Sequence, residues 1–216
     1  MATPVLTFEE ASVVLVGSFN PTIFHPAWLS KYNLIPSVEA DGAKVEIIHN
    51  ELSSFSLEWL HVQVTHQKFV ARTNDRSHYN PLRDLVISIF NILEHTPIKQ
   101  LGMNRQLDFL IDNEKDWHKV GHTLAPKDIW KKSLTEPLLT GLSIESQRTD
   151  GLNGKINVRL EPSKRTKYGV FVGVNNHVEL SNGGKLTVPL ILSEHWEKNI
   201  NKALDIATIT FEEIIF

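Results

Sequence analysis

Along most of this chain hydrophobic and polar residues alternate, and only a few stretches settle into a helical period. In "WLHVQVTHQKFVART" (59–73), Leu60, Val62 and Val64 fall on one side of an extended chain and His61, Gln63 and Thr65 on the other. A break near His66-Gln67-Lys68 predicts two strands there. Residues 11–19, 43–50, 97–111, 139–148, 155–161 and 168–180 read as further strands. Helical spacing is clearest after Asn80-Pro81, a residue pair suited to an N-cap and a first helical position. Leu82, Leu85, Val86, Ile89, Phe90, Ile92 and Leu93 then cover more than half the circumference, as a buried helix requires. Shorter helices are predicted over 25–34, where Pro26 opens a turn, and over 114–121 behind Asp112 or Asn113. Residues 126–134 add a further turn or two, and Asn182-Gly183-Gly184 reads as a tight turn. From Leu190 to the end, Leu192, Trp196, Ile200, Leu204, Ala207, Phe211 and Ile214 or Ile215 form one stripe of a long amphipathic helix.

Written as elements, both halves run strand, helix, three strands, helix. Grouped strands fold back on one another, so the expected class is α+β, mainly antiparallel, with helices on one side. Two intimately packed halves, 1–96 and 97–216, would form one compact unit of the saddle or clamp kind. Their residues show no repeat strong enough to demonstrate duplication.

Composition changes this picture little. At 216 residues the chain is long enough to build a core without staples. Hydrophobic residues at 41% and charged residues at 22% are ordinary for a folded domain. A formal charge of −3 gives no overall attraction to nucleic acid or acidic membranes, so such binding would need a local patch. With no cysteine, disulfides, thiolate zinc sites and thiol nucleophiles are excluded. The start "MATPVLTFEE" lacks the basic and apolar regions of a secretory leader, and no apolar run approaches membrane-spanning length. A cytoplasmic protein without a cofactor is expected.

The stretch "GSFNP" (17–21) resembles the opening of nucleotidylyltransferases, whose Gly-x-Phe-x-Pro turn carries nucleotide phosphates to a helix N-terminus. That family places two histidines two and five residues beyond the proline, where this chain has Ile23 and Pro26; His25 stands four beyond. The family's second signature, a Ser/Thr-rich run with a basic residue opening a helix, is missing too; "SKRTK" (163–167) falls on a hairpin. The family's chemistry also needs a parallel sheet, against the grouped strands read here. A nucleotide-handling enzyme built on residues 17–25 is therefore the weakest of three readings.

Glu114, His118 and His122 share a helical face with metal-ligand spacing, but Lys119 stands where a zinc protease has its glutamate, and no metal site is assigned. Lys155, Arg159, Lys164, Arg165 and Lys167 form the densest basic region, on and beside a hairpin tip at 162–167. They are the candidate nucleic-acid contacts, with soluble hairpin decoration as the plain alternative. Asn175, Asn176 and His177 could line a ligand cleft. Arg105 and Asp108 interrupt an apolar strand and are expected to pair with each other. Phe211, Ile214, Ile215 and Phe216 at the chain end need cover from this lobe or from a second subunit, which makes them candidate interface residues of a dimer. No catalytic constellation can be picked out. "HTPIKQLGMNRQLDF" (95–109) is similar to a segment of sporadically distributed bacterial proteins of uncharacterised function, a resemblance that implies no activity. The favoured reading is a non-enzymatic interaction module that binds protein and self-associates; the second is a nucleic-acid binder using the 155–168 hairpin.

Overall fold

The computed structural model describes residues 4–181 and 186–215, the side chain of Ile215 excepted. β1 (Val5–Gly17), β2 (Lys44–Ile48), β3 (Leu52–Ser56), β4 (His61–Thr65), β5 (Lys68–Thr73), β6 (Ile98–Leu110), β7 (Leu142–Gln147), β8 (Gly154–Pro162) and β9 (Gly169–Glu179) join one sheet. Its order is β2-β3-β4-β5-β1-β6-β9-β8-β7, antiparallel throughout. The first half supplies β2 to β5 outward from β1, and the second supplies β9, β8 and β7 outward from β6. The two halves meet at the β1–β6 pair, which runs from Val5 opposite Leu110 to Gly17 opposite Ile98. The expected α+β architecture is thus present, as a single continuous sheet.

Helices cover one face. α1 (Pro26–Lys31), α2 (Ser37–Asp41) and α3 (Tyr79–Ile92) belong to the first half, α4 (Glu114–Leu124) and α5 (Val188–Ile215) to the second. Ala11, Val13 and Leu15 of β1 and Leu101, Met103 and Leu107 of β6 are fully buried beneath them. At 28 residues, α5 extends about 42 Å and serves both halves. Ile191, Leu192, Trp196 and Ile200 join the cluster that spans both halves and holds Val13, Phe69, Leu101, Met103 and Val178, while Ala203, Ala207, Phe211 and Ile214 join a second cluster built on Leu107, Phe109 and Val172.

Between these apolar clusters lies a polar seam. Arg105, only 1% exposed, donates to the Ile200 carbonyl at 3.0 Å and to the Glu9 carboxylate, and its guanidinium lies over the Tyr79 ring. Burial, with the Glu9 charge beside it, raises the Tyr79 hydroxyl pKa far above its usual range, so the phenol stays neutral. Asn176 of β9 donates to the Asn199 carbonyl of α5 at 3.4 Å. Arg148, Asp150 and the Asn199 amide extend the seam.

Several sequence expectations need correction. The first half has four strands after its helices, because Leu52–Ser56 is a strand whose serine-rich composition gives little β signal. The helix predicted over 25–34 is the shorter α1, and a second short helix, α2, follows it unpredicted. α3 starts at Tyr79, behind a short 3₁₀ turn capped by the Asp75 carboxylate, so Asn80 is inside the helix and no N-cap. Residues 126–134 do form the expected turn or two, closed by the Lys131 N–H on the Lys127 carbonyl and the Leu134 N–H on the Trp130 carbonyl, without continuing as a regular helix. Arg105 and Asp108 do not pair: Arg105 turns under α5, and Asp108 is bound by Ser163 and Arg165. The predicted turn at 182–184 lies outside the described residues.

Removing one member of a buried ion pair strands the other, so Arg105→Ala should cost about 3 kcal/mol or more. Denaturant unfolding should show this, with Arg105→Met costing less than Arg105→Ala because it refills the space. Equal stability of Arg105→Ala and the parent would remove the seam from any role in holding the halves together.

Candidate binding groove on the open sheet face

Strand periodicity sends every second residue of the central strands to the face without helices. Glu10, Ser12, Val14 and Val16 of β1 lie beside Gln106, Asn104, Gly102 and Gln100 of β6 there. Residues of β1, β4, β5, β6, β7, β8 and β9 line one hollow of about 790 Å³, so this face is concave. No helix contributes to it.

One row of directly paired positions crosses the whole hollow. Outward from the seam through the first half it runs Ser12, Arg72, His61, Ser56 and Lys44. Through the second half it runs Asn104, Asn175, Asn157 and Glu145. Every strand contributes a polar side chain. The first-half arm is basic, and the second-half arm is mostly carboxamide. Asn104 donates to the Ser12 hydroxyl at 3.3 Å. The Oδ1 atoms of Asn104 and Asn175 have no partner among the described residues. Ser56 and the His61 Nδ1 are 3.0 Å apart. Burial and then Arg72 push His61 below its usual pKa, so its ring is neutral near pH 7 and exchanges an uncharged hydrogen bond.

The groove's charges are largely matched. Arg72 is paired with Glu10 at 3.3 Å, and Arg159 with Glu161 at 3.3 Å. Just outside the hollow's lining, Lys155 meets Glu145 at 2.8 Å and Arg165 meets Asp108 at 3.3 Å. Lys68 is the lining cation with no carboxylate within ion-pair distance among the described residues.

The predicted basic region is therefore not one patch. Lys155 and Arg159 face the groove from β8, Arg159 lying over the Phe171 ring. Arg165 folds back onto the Phe8 ring at 3.6 Å, and Lys167 sits over its neighbour Tyr168. Lys164 is exposed at the tip. The triplet 175–177 divides by strand parity: Asn175 and His177 line the groove, whereas Asn176 is buried under α5. At the chain end, Phe211 packs on Phe109 with ring centroids 4.9 Å apart, and both it and Ile214 are buried by their own lobe. Phe216 and the Ile215 side chain are outside the described residues. Glu114 and His118 face each other at 3.9 Å, but no group of three potential ligands that could hold a metal exists among the described residues.

The "GSFNP" turn serves the fold. A Cβ at Gly17 would stand 2.3 Å from the Pro97 carbonyl, so this glycine permits a close backbone approach to the start of β6. The next residue, Ser18, donates its N–H to that same carbonyl. Asn20 caps a 3₁₀ turn, and the His25 Nδ1 accepts the Trp28 N–H to cap α1. Phe19 and Phe24 join Phe69 and Phe90 in an aromatic cluster. The antiparallel sheet provides no parallel crevice behind Pro21.

Ser12, Asn104 and Gln106 were not singled out from sequence. Their signal was uncharged polar residues at every second position of otherwise apolar strands.

No family model matches the chain, and neither does any curated protein. Among solved structures it can be laid over the di-domain ARO/CYC StfQ from the steffimycin biosynthetic pathway. That likeness has 12% identity, 96% of this chain and 99% of that one covered, and a TM-score of 0.24. A score that low carries no argument about fold or function.

Burial raises the Glu10 pKa, against the pull of Arg72 and Arg165. A raised carboxyl costs stability only when ionised: the cost is full above the folded pKa and vanishes below the unfolded value of about 4.3. Glu10→Gln should therefore raise Tm near pH 7, and its advantage should shrink to nothing as pH falls toward 4. A lower Tm for the variant at pH 7 would show that the Arg72 pair outweighs burial.

Proposed function

We propose that this chain is a non-enzymatic binding module whose concave sheet face takes hold of a partner protein. The observation that carries this reading is the polar row across all nine strands, with its carboxamides at the centre. An amide both donates and accepts, as does the peptide group it would meet. The lining arginines already have carboxylates, which favours a neutral polar ligand over a phosphate backbone. A nucleic acid would have to break those pairs, so it is the weaker reading. Among the described residues no helix is long and apolar enough to cross a membrane.

Arrays of random decapeptides probed with the intact chain test this. A reproducible subset should bind, and the double substitution Asn104→Ala with Asn175→Ala should weaken it about tenfold or more while near-UV circular dichroism stays unchanged. Absence of any bound peptide, or full binding by the folded double variant, would sink the proposal.

Self-association is a second reading, now on a different surface. All residues of edge strand β2 are exposed, including Val45, Ile47 and Ile48, and its outer edge is unpaired. Such an edge is a template for another chain. Light scattering should then report a dimer that Ile47→Lys converts to monomer; a monomer at every concentration would remove this idea.

A further inference from the structure

The strip between β6 and β9 has a character of its own within the groove. Its direct pairs are Gly102 with His177, Asn104 with Asn175, and Gln106 with Gly173. On either side of the central amide pair one partner is glycine, first on β6 and then on β9. Glycine inside a strand often marks a place where another backbone comes close. At Gly102 the missing side chain also lets both carboxamides lie low: the Oδ1 atoms of Asn104 and Asn175 are each 3.2 Å from where a Cβ would stand. The result is a lane of amide, imidazole and amide groups along the two strands, its floor low at Gly102, which the two carboxamides cover, and bounded at Gly173 by the Phe171 ring, 3.1 Å from where a Cβ would stand.

Spacing fixes which way a ligand fits. Side chains on one face of a strand recur about every 6.8 Å along it, the two-residue repeat of an extended peptide. Across the strands the walls recur about every 4.8 Å, out of step with any extended chain. We infer that the partner's segment is an extended, uncharged polar stretch of polypeptide lying parallel to β6 and β9. It is recognised through its main-chain N–H and C=O groups by Asn104, Gln106, Asn175 and His177. This rests on the protein-binding reading above and adds its ligand class and direction. Within such uncharged polar stretches, recognition then depends little on individual side chains, since the peptide groups carry the contacts.

A decapeptide from the array, measured by fluorescence anisotropy with the full chain, decides the matter. Backbone N-methylation at successive internal positions should weaken binding about tenfold at two or more of them. Alanine replacements along the same peptide should change it less than about threefold. Gly102→Leu, which presses only on flexible amide ends, should abolish binding by filling the lane. Gln63→Ala and Ser143→Ala, at the far sides of the hollow, should leave it intact. Dominance of the alanine scan, or equal losses in Gln63→Ala and Ser143→Ala with none in Gly102→Leu, would overturn the lane while leaving a peptide-binding groove. Tight binding of a polyuridine or polythymidine oligomer that displaces the peptide would overturn both.

Discussion

The antiparallel pairing of β1 with β6 is the constraint on which the molecule depends. It turns two strand groups into one sheet whose helix-side core runs across the junction, Leu101, Met103 and Val178 packing in one cluster with Val13, Leu15 and Phe69. Hydrogen bonds alone would leave that junction free to twist. α5 packs on β6 and β9 and runs through both core clusters, burying Trp196 in one and Phe211 in the other, and the Arg105 guanidinium ties β6 to the helix at Ile200. A buried charge in this place adds little net stability. What it supplies is register, because Glu9, Tyr79 and the Ile200 carbonyl must all be in position before the guanidinium can be buried.

The groove follows from the same pairing. With every helix on one side, the alternate residues of β1, β6 and β9 have no apolar surface to meet, and polar side chains are tolerated there at no cost to the core. A sheet built this broad curves by its own twist, so the helix-free face becomes a hollow. Near-complete matching of positive and negative side chains keeps that hollow close to neutral.

Strand-period alternation in 59–73, the capped helix near residue 80 and the amphipathic stripe from Leu190 were legible because each is local: the residues that form the element also carry its signal. The serine-rich strand Leu52–Ser56 was not, since it is held by β2 and β4 on either side and not by its own propensity. The helix start moved from Asn80 to Tyr79 because the Asp75 carboxylate capped a preceding turn. The basic residues were visible, yet their partners were not: Glu145 lies on the neighbouring strand β7, and Asp108 on β6, far along the chain from Arg165.

Sequence by itself therefore determined most element types, the antiparallel class and, in the clearly alternating stretches such as 59–65, which side of the strand faces the core, since those follow from the pattern of neighbours along the chain. Tertiary structure alone decided that the two halves share one sheet and that Ser12, Asn104, Asn175 and Asn157 stand in one row. It alone neutralised most of the groove's cations. Register between strands as far apart in sequence as β1 and β6 is set by how whole faces pack, and no short window of residues contains that information.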